Sequence, residues 1–287
     1  MTIFGSTRVF FTVADPIAQV RAPEVFNRVF EKFDIDAVMV PLHLVAGNFE
    51  KTVRALMSAP NVGGFSLSIP HKPTAAAMMD RCSDVARVAK AVNAIRADKQ
   101  GALEGDLFDG AGLLSLLERY QLPYKGKQVL LIGAGGAASA IATTLARSGV
   151  AGISIYDPDQ AKSRTLADLI NAHFDVRASS VDSNGPEGFD LVINASPLGL
   201  KAHDPMPCDV ARLDSSASVV DILMKNQPTP WLQAVKARGL PAQAGFDMLI
   251  LQTPLYLDFF GYPEAAESLR RDDSTLRELL VPPELRA

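Results

Sequence analysis

Short apolar runs alternate along this chain with stretches whose apolar residues recur every three or four positions, the pattern of strands followed by helices. Residues 8–13 and 36–40 read as strands. Between them Pro23 stands where a first helical residue belongs, and Phe26, Val29, Phe30 and Phe33 follow at helical spacing, which predicts a helix with one buried face. Further on, 49–57 reads as helix, 65–69 as a strand ending at Pro70, 74–79 and 85–89 as helices, and 91–97 and 101–104 as strands. A helix from about 111 to 119 leads through Pro123 and Gly126 to strands near 128–132, 152–157, 176–179, 190–194 and 218–222, with helices between them and an apolar helix over 248–260. The tail beyond Pro263 is charged and reads as partly helical. This alternation predicts an α/β protein of two lobes, one over 1–110 completed by helices from 246–287, the other over 111–245, with ligands bound in the cleft between them.

Composition narrows the function more than the fold. A chain of 287 residues suits two domains, and 48% hydrophobic residues suffice for two cores. The net charge of −4 is dispersed, so nothing points to nucleic acid or to a charged tail. Cys82 and Cys208 fall in different lobes and read as reduced thiols, and the N-terminus carries no basic segment followed by an apolar run, which together lead us to expect a cytoplasmic protein. His43, His71, His173 and His203 lack metal-ligand spacing, so no metal is expected. No apolar stretch is long enough to span a bilayer, and the expected partner is a small molecule, with the chain a monomer or homodimer.

The most specific signal is LLIGAGGAASAIATTLARSGVAGISIYD at 130–157. An apolar run enters Gly133, Ala134, Gly135, Gly136, Ala137 and Ala138, a helical pattern follows, and a second run ends at Asp157, which together form a dinucleotide-binding fingerprint. Gly133 permits the tight turn, Gly135 lets backbone approach a pyrophosphate, Ala138 lets helix pack on strand, and the helix start aims N–H groups at negative charge. The second lobe is therefore expected to be a Rossmann-type, doubly wound dinucleotide-binding domain, and the plainer reading is a Gly-rich turn in another α/β unit. Asp157 can accept from both ribose hydroxyls and would repel a 2′-phosphate, which favours NAD over NADP; otherwise it caps the next helix.

Polar groups cluster against the strands of the first lobe. Ser66 and Ser68 alternate on one face, Lys72 stands past the strand end, Asn93 sits in an apolar setting, and Asp106 and Asp109 lie in a Gly-bounded turn. An enzyme oxidising a secondary alcohol needs a group to take the hydroxyl proton as hydride leaves; a lysine poised by burial and held by a carboxylate can do it. Lys72 with Asp109 supplies such a pair if the lobe brings them together, although a lysine after a strand is ordinarily a solvated residue.

Seven segments, in order, resemble the shikimate dehydrogenase family, which includes the shikimate/quinate dehydrogenases: ADPIAQVRAPEVFN at 14–27, GFSLSIPHK at 64–72, AVNAI at 91–95, GDLFDG at 105–110, GAGGAASA at 133–140, INASPLGL at 193–200 and GFDMLILQ at 245–252. The likeness covers roughly residues 8–260. It implies that Lys72 and Asp109 are the catalytic pair, that Asn93, Gln252, Ser66 and Ser68 contact substrate, and that Asn194, Ser196, Leu223 and Gly245 lie beside the cofactor. Departures are equally specific. The family's two carboxylate-binding serines fall on Val20 and Ala22 with Arg21 between them, its Asn-Thr before the catalytic Asp falls on Leu107-Phe108, a Tyr falls on Met224 and a Gly on Asp247. Each lost charge-assisted hydrogen bond is worth about 1.5–3 kcal/mol, or roughly one to two decades of affinity. Either Arg21 turns inward to grip a carboxylate, or Val20, Ala22, Leu107 and Phe108 wall a less polar substrate. The resemblance thus implies reversible NAD-dependent hydride transfer at a ring alcohol of shikimate, quinate or a relative, with 3-dehydroshikimate as the keto product. The alternatives are the same chemistry on a cyclic polyol without the carboxylate, or a non-enzymatic dinucleotide-binding regulator.

Overall fold

The computed structural model describes residues 2–201 and 203–283. The chain divides into two compact units, Met1–Phe108 with Ile250–Ala287, and Asp109–Leu249.

The first unit contains β1 (Arg8–Ala14), α1 (Ala22–Lys32), β2 (Ala37–His43), α2 (Phe49–Met57), β3 (Val62–Leu67), α3 (Lys72–Met78), β4 (Arg81–Cys82), α4 (Asp84–Ala89), β5 (Ala94–Ala97) and β6 (Leu103–Asp106). Its six strands form one mixed sheet in the order β2-β1-β3-β5-β6-β4, parallel from β2 to β3 and antiparallel through β5. Parallel pairing needs crossovers, and α1 and α2 provide them. The apolar stripe of α1 is buried through Val25, Phe26, Val29 and Phe30. Phe10 of β1 packs on Phe30 and on Phe260, at ring-centroid distances of 5.7 and 4.7 Å. Each buried aromatic contributes about 1.5–3 kcal/mol by transfer from water. Gly63 is fixed by this packing, since a Cβ there would lie 2.3 Å from the Phe10 ring.

β3 starts at Val62 and not at the expected 65: two glycines interrupt the apolar run, yet Gly63 makes room for the Phe10 ring and Gly64 for the Ile95 carbonyl and the Phe260 ring. β3 ends at Leu67, and Ser68 continues beyond it with its N–H donating to the Val13 carbonyl. The expected strand over 91–97 is shortened to Ala94–Ala97 because Lys90 leaves α4 in a left-handed conformation, φ 49°. The two-residue β4 carries too little pattern to be visible in sequence.

The second unit holds α5 (Asp109–Arg119), β7 (Gln128–Ile132), α6 (Gly136–Arg147), β8 (Gly152–Tyr156), α7 (Gln160–His173), β9 (Arg177–Ser180), β10 (Leu191–Asn194), β11 (Ser218–Asp221), α8 (Pro230–Ala237) and β12 (Ala242–Ala244). Its all-parallel sheet runs β12-β11-β10-β7-β8-β9, so the strand order reverses between β7 and β10, the doubly wound arrangement. Trp231 of α8 is buried with Val192, Val219 and Leu232 in its core. Helix α5 lies close to α6, since a Cβ on Gly110 would fall 2.4 Å from the Ala140 carbonyl oxygen. Helix α9 (Phe246–Phe260) starts in this unit and ends in the first, where α10 (Pro263–Arg271) and α11 (Ser274–Leu280) complete the described chain. The expected end of the first lobe, residues 284–287, lies outside the described residues. Among the described residues no helix is long and apolar enough to cross a membrane.

Candidate active site

Within the first unit the backbone gathers four of the expected substrate-side residues. Ser66 lies opposite Thr12 of β1 and Ala94 of β5. The Leu67 N–H donates to the Asn93 carbonyl at 2.7 Å, and the Val92 N–H to the Lys72 carbonyl at 3.0 Å. The Tyr256 hydroxyl donates to that same Asn93 carbonyl at 3.1 Å, and Gln252 lies one helical turn before Tyr256 on α9. Ser66, Lys72, Asn93 and Gln252 are all buried, and Ser68 is partly exposed.

Two of these side chains hold an atom with no hydrogen-bond partner, Asn93 Nδ2 and Gln252 Oε1. An unpaired buried amide atom costs about 1–3 kcal/mol, so native proteins keep one chiefly where a ligand or water completes it. Asn93 is otherwise fixed, because its Oδ1 accepts the Phe108 N–H at 3.0 Å. Phe108 in turn packs edge-on against Tyr256, with centroids 4.9 Å apart. Asp109, the next residue, is buried and opens α5 at the start of the second unit. His71, one residue before Lys72, is stacked on Phe49 at 4.5 Å and bonded to the Leu44 carbonyl. Burial lowers its pKa and favours a neutral ring.

Arg21 does not take the inward course that one reading of the sequence allowed. Its Nε and one terminal nitrogen donate to Glu24 at 3.1 and 2.8 Å, and its terminal nitrogens also reach the Leu280 and Leu279 carbonyls at 3.2 and 3.4 Å. The unpaired carbonyls at the end of α11 are strong acceptors for a guanidinium, which explains the orientation. Val20 is half-buried and Ala22 buried, and neither offers a donor. Arg21→Ala is therefore expected to lower stability by about 1 kcal/mol, read from a urea midpoint, while leaving the relative KM values of any two substrates within twofold; a selective loss for acidic substrates would return Arg21 to the site.

In the second unit the glycine loop has the form that a pyrophosphate needs. Gly133 has φ +108°, and a Cβ on it would meet the Ala195 carbonyl oxygen at 2.7 Å. Gly135 caps α6 without a side chain, and a Cβ built there meets nothing within 4 Å, so the loop is open above it and the first-turn amides of α6 lack intrahelical acceptors. Gly136 and Ala137 begin the helix and Ala138 is fully buried. Asp157, just past β8, accepts the Ala134 N–H at 2.9 Å and the Asp159 N–H at 2.9 Å, one on each oxygen, which leaves both oxygens able to accept more. The cap of α7 is Asp159 and not Asp157. The nearest bases are engaged elsewhere, Arg164 with the Gln160 side-chain oxygen at 2.6 Å and Lys162 with Asp159 at 3.6 Å. These residues fit a nicotinamide dinucleotide, NAD or NADP.

Sequence reasoning missed the device that shapes the neighbouring loop. Asn194, at the end of β10, donates to the Leu198 carbonyl and to Asp221, each at 3.1 Å, and accepts from the Ser196 N–H and hydroxyl. Asp221, fully buried at the end of β11, also accepts from the Thr229 hydroxyl at 2.9 Å and the Leu223 N–H at 3.2 Å. Burial outweighs these donors and pushes the Asp221 carboxyl up to about 6. Gly245 closes the same corner, since a Cβ there would lie 2.6 Å from the Ile222 backbone. Asp247 accepts the Tyr120 hydroxyl at 2.8 Å. The signal available in sequence was a strand-end Asp followed eight residues later by Thr-Pro, a helix start. Among the described residues no cluster of His, Cys, Asp and Glu could hold a metal ion.

A mixed sheet with buried amides and a lysine, in one chain with a doubly wound sheet carrying a glycine loop and a strand-end aspartate, defines an oxidoreductase of the dinucleotide-dependent class. Comparison with known proteins makes this particular. Residues 12–95 match the shikimate dehydrogenase substrate binding domain. The chain is 33% identical over 265 residues to the shikimate dehydrogenase (NADP(+)) of Acidiphilium cryptum, covering 91% of this chain and 93% of that protein. The ligand-free 5-ketofructose reductase of Gluconobacter sp. strain CHM43 superposes with a TM-score of 0.80 at 27% identity, over 92% of this chain and 98% of that one. The shikimate 5-dehydrogenase of Listeria monocytogenes, solved with shikimate and NAD, superposes with a TM-score of 0.83 at 24% identity, over 98% of each chain. The chain belongs to the shikimate dehydrogenase family.

Proposed function

We propose that this chain exchanges hydride between NAD and a secondary alcohol of a polyhydroxylated ring compound, the class to which shikimate and quinate belong. The observation that carries the reading is the burial, in one unit, of Lys72 and of two amides that each keep one unpaired polar atom. In the oxidising direction the Lys72 amine takes the proton of the substrate hydroxyl as the carbon–hydrogen bond breaks; in the reducing direction the ammonium returns it to the carbonyl oxygen. NAD, when bound, accepts the hydride. Asp109 balances and orients the lysine, while Asn93, Ser66, Ser68 and Gln252 hold the other hydroxyls. Gly133 to Ala138, Asp157 and the loop of Asn194 and Ser196, with Leu223 and Gly245 behind it, hold the dinucleotide. The family relatives include proteins named for NADP(+) and a complex with NAD. The remaining acceptor capacity of the Asp157 oxygens and the engagement of Arg164 and Lys162 support NAD.

Two of the departures from the family pattern fall on the positions that the resemblance assigns to the substrate's acid end. Val20 and Ala22 replace hydroxyls and Arg21 is tied to α11. A kinetic screen of shikimate, quinate and related ring alcohols with NAD and NADP tests the reading, and absence of hydride transfer to either dinucleotide from every ring alcohol would defeat it. Asp157→Ala is expected to weaken NAD binding about tenfold and to narrow the preference over NADP by a similar factor, as loss of charged hydrogen bonds and of repulsion requires. An unchanged NAD/NADP ratio in fluorescence titration would refute the assignment of Asp157.

A further inference from the structure

We propose that Tyr256 is a positioning residue for the substrate: it holds Asn93 at both ends, so that the amide Nδ2 meets a ring hydroxyl at a fixed place. The proposal rests on the reading of the first unit as the substrate half of a hydride-transfer enzyme and adds a residue on which that half depends.

Asn93 stands just before β5, and the strands on either side grip its backbone. Its N–H donates to the Asp106 carbonyl at the end of β6, at 2.9 Å, and its carbonyl accepts the Leu67 N–H at the end of β3, at 2.7 Å. These bonds place the main chain but do not fix the side chain, whose terminal torsion is soft in any asparagine. The Phe108 N–H does that, by donating to Oδ1 at 3.0 Å. Tyr256 acts on both halves of the arrangement. Its hydroxyl donates to the Asn93 carbonyl at 3.1 Å, and its ring meets the Phe108 ring edge-on, with centroids 4.9 Å apart and planes at 70°.

The ring is itself held. Tyr256 is buried, edge-on to Phe26 of α1 at 5.5 Å and tilted against Phe260 at 5.9 Å. The Asn93 carbonyl already has the Leu67 donor, so the hydroxyl is a second hold on an atom that the strand bond satisfies. Gln252 lies one turn earlier on the same face of α9, so Tyr256 adjoins both amides that keep an unpaired atom. An amide fixed before its ligand arrives has less rotamer freedom left to lose on binding, and that difference appears as affinity.

The test uses the full chain with nitrogen-15-labelled asparagine, in which the Asn93 side-chain NH₂ signals are identified by their loss in Asn93→Ala. The parent should show one sharp pair. Tyr256→Leu, which removes ring and hydroxyl, should broaden or split it, and Tyr256→Phe, which loses the hydroxyl alone, should do so to a lesser degree. With shikimate and NAD, KM should rise about tenfold in the leucine variant and about threefold in the phenylalanine variant, with kcat within about twofold of the parent. Neither change should raise KM further in the Asn93→Ala background. A single sharp pair with a parent-like KM in every variant that folds overturns the proposal. So does a Tyr256 effect of undiminished size in the Asn93→Ala background, which is what a merely structural residue gives. If neither shikimate nor any other ring alcohol is turned over, the functional reading falls, and the amide signals alone decide whether Tyr256 fixes Asn93.

Discussion

Lys72→Ala is expected to lower kcat by roughly 10²- to 10⁴-fold, the range that a positioned acid–base group contributes, while NAD affinity stays within about twofold. The backbone of the site does not depend on the side chain. The carbonyl of residue 72 receives the Val92 N–H whatever side chain it carries, and alanine suits the first turn of α3 before Pro73. The dinucleotide residues lie in the other unit, on β7, α6 and β8. Steady-state turnover and NADH fluorescence titration on the same preparation separate the two effects. Lys72→Arg sharpens the result, because a guanidinium stays protonated and cannot take the hydroxyl proton; oxidation should fail as fully as in the alanine variant. If NAD binding and turnover fell together, Lys72 would be a structural residue and the proton step would need another carrier.

How far these residues could be read from sequence depends on whether their role is local. The glycine loop was legible because strand, turn, helix and strand-end acid follow one another in the chain, and Gly133's positive φ and the fully buried Ala138 are what those residue types allow. α1 was legible because Phe26, Val29 and Phe30 fall on one helical face; Phe33, expected with them, is the C-cap and only partly buried. Contacts between distant segments left no such trace. Nothing near Arg21 announces that its partners are the carbonyls of residues 279 and 280, more than 250 positions away. The strand start at Val62 was hidden because what requires the two glycines lies far off in sequence, the Phe10 ring of β1 for Gly63 and the Ile95 carbonyl and Phe260 ring for Gly64. β12 (Ala242–Ala244), with two alanines and a glutamine, is a strand because β11 offers it a free edge, not because its residues favour one. Asn194, Asp221 and Thr229 are separated by 27 and 8 positions and meet only once β10 and β11 pair in register, Asn194 opposite Asp221.

That last network gives the second large effect. Asp221→Asn is expected to gain stability relative to the parent as pH rises from about 4 to above 6, by about 3 kcal/mol in all, and to hold that difference at higher pH. The sign follows from the carboxyl's position. In the folded protein its pKa is raised from 3.8 to about 6 because burial disfavours the charge more than its donors favour it. The folded state therefore binds the proton more tightly than the unfolded chain does. Stability from this group is fully present below about pH 4, is lost as pH rises towards 6, and stays lost above it. Asparagine has no charge to bury and can keep the contacts: its oxygen accepts from Asn194 and Leu223, and its NH₂ faces the Thr229 hydroxyl, which turns to accept. Urea melts of parent and variant at pH 4.5, 5.5, 6.5 and 7.5 give the difference at each pH, which cancels the opposite pH trends of the surface carboxylates common to both. Because Asn194 still holds Leu198, NAD binding at pH 7.5 should match the parent's. A stability difference that stays flat across the series would mean that the Asp221 carboxyl titrates alike in the folded and unfolded chain, and that its burial carries no penalty for the donors around it to offset.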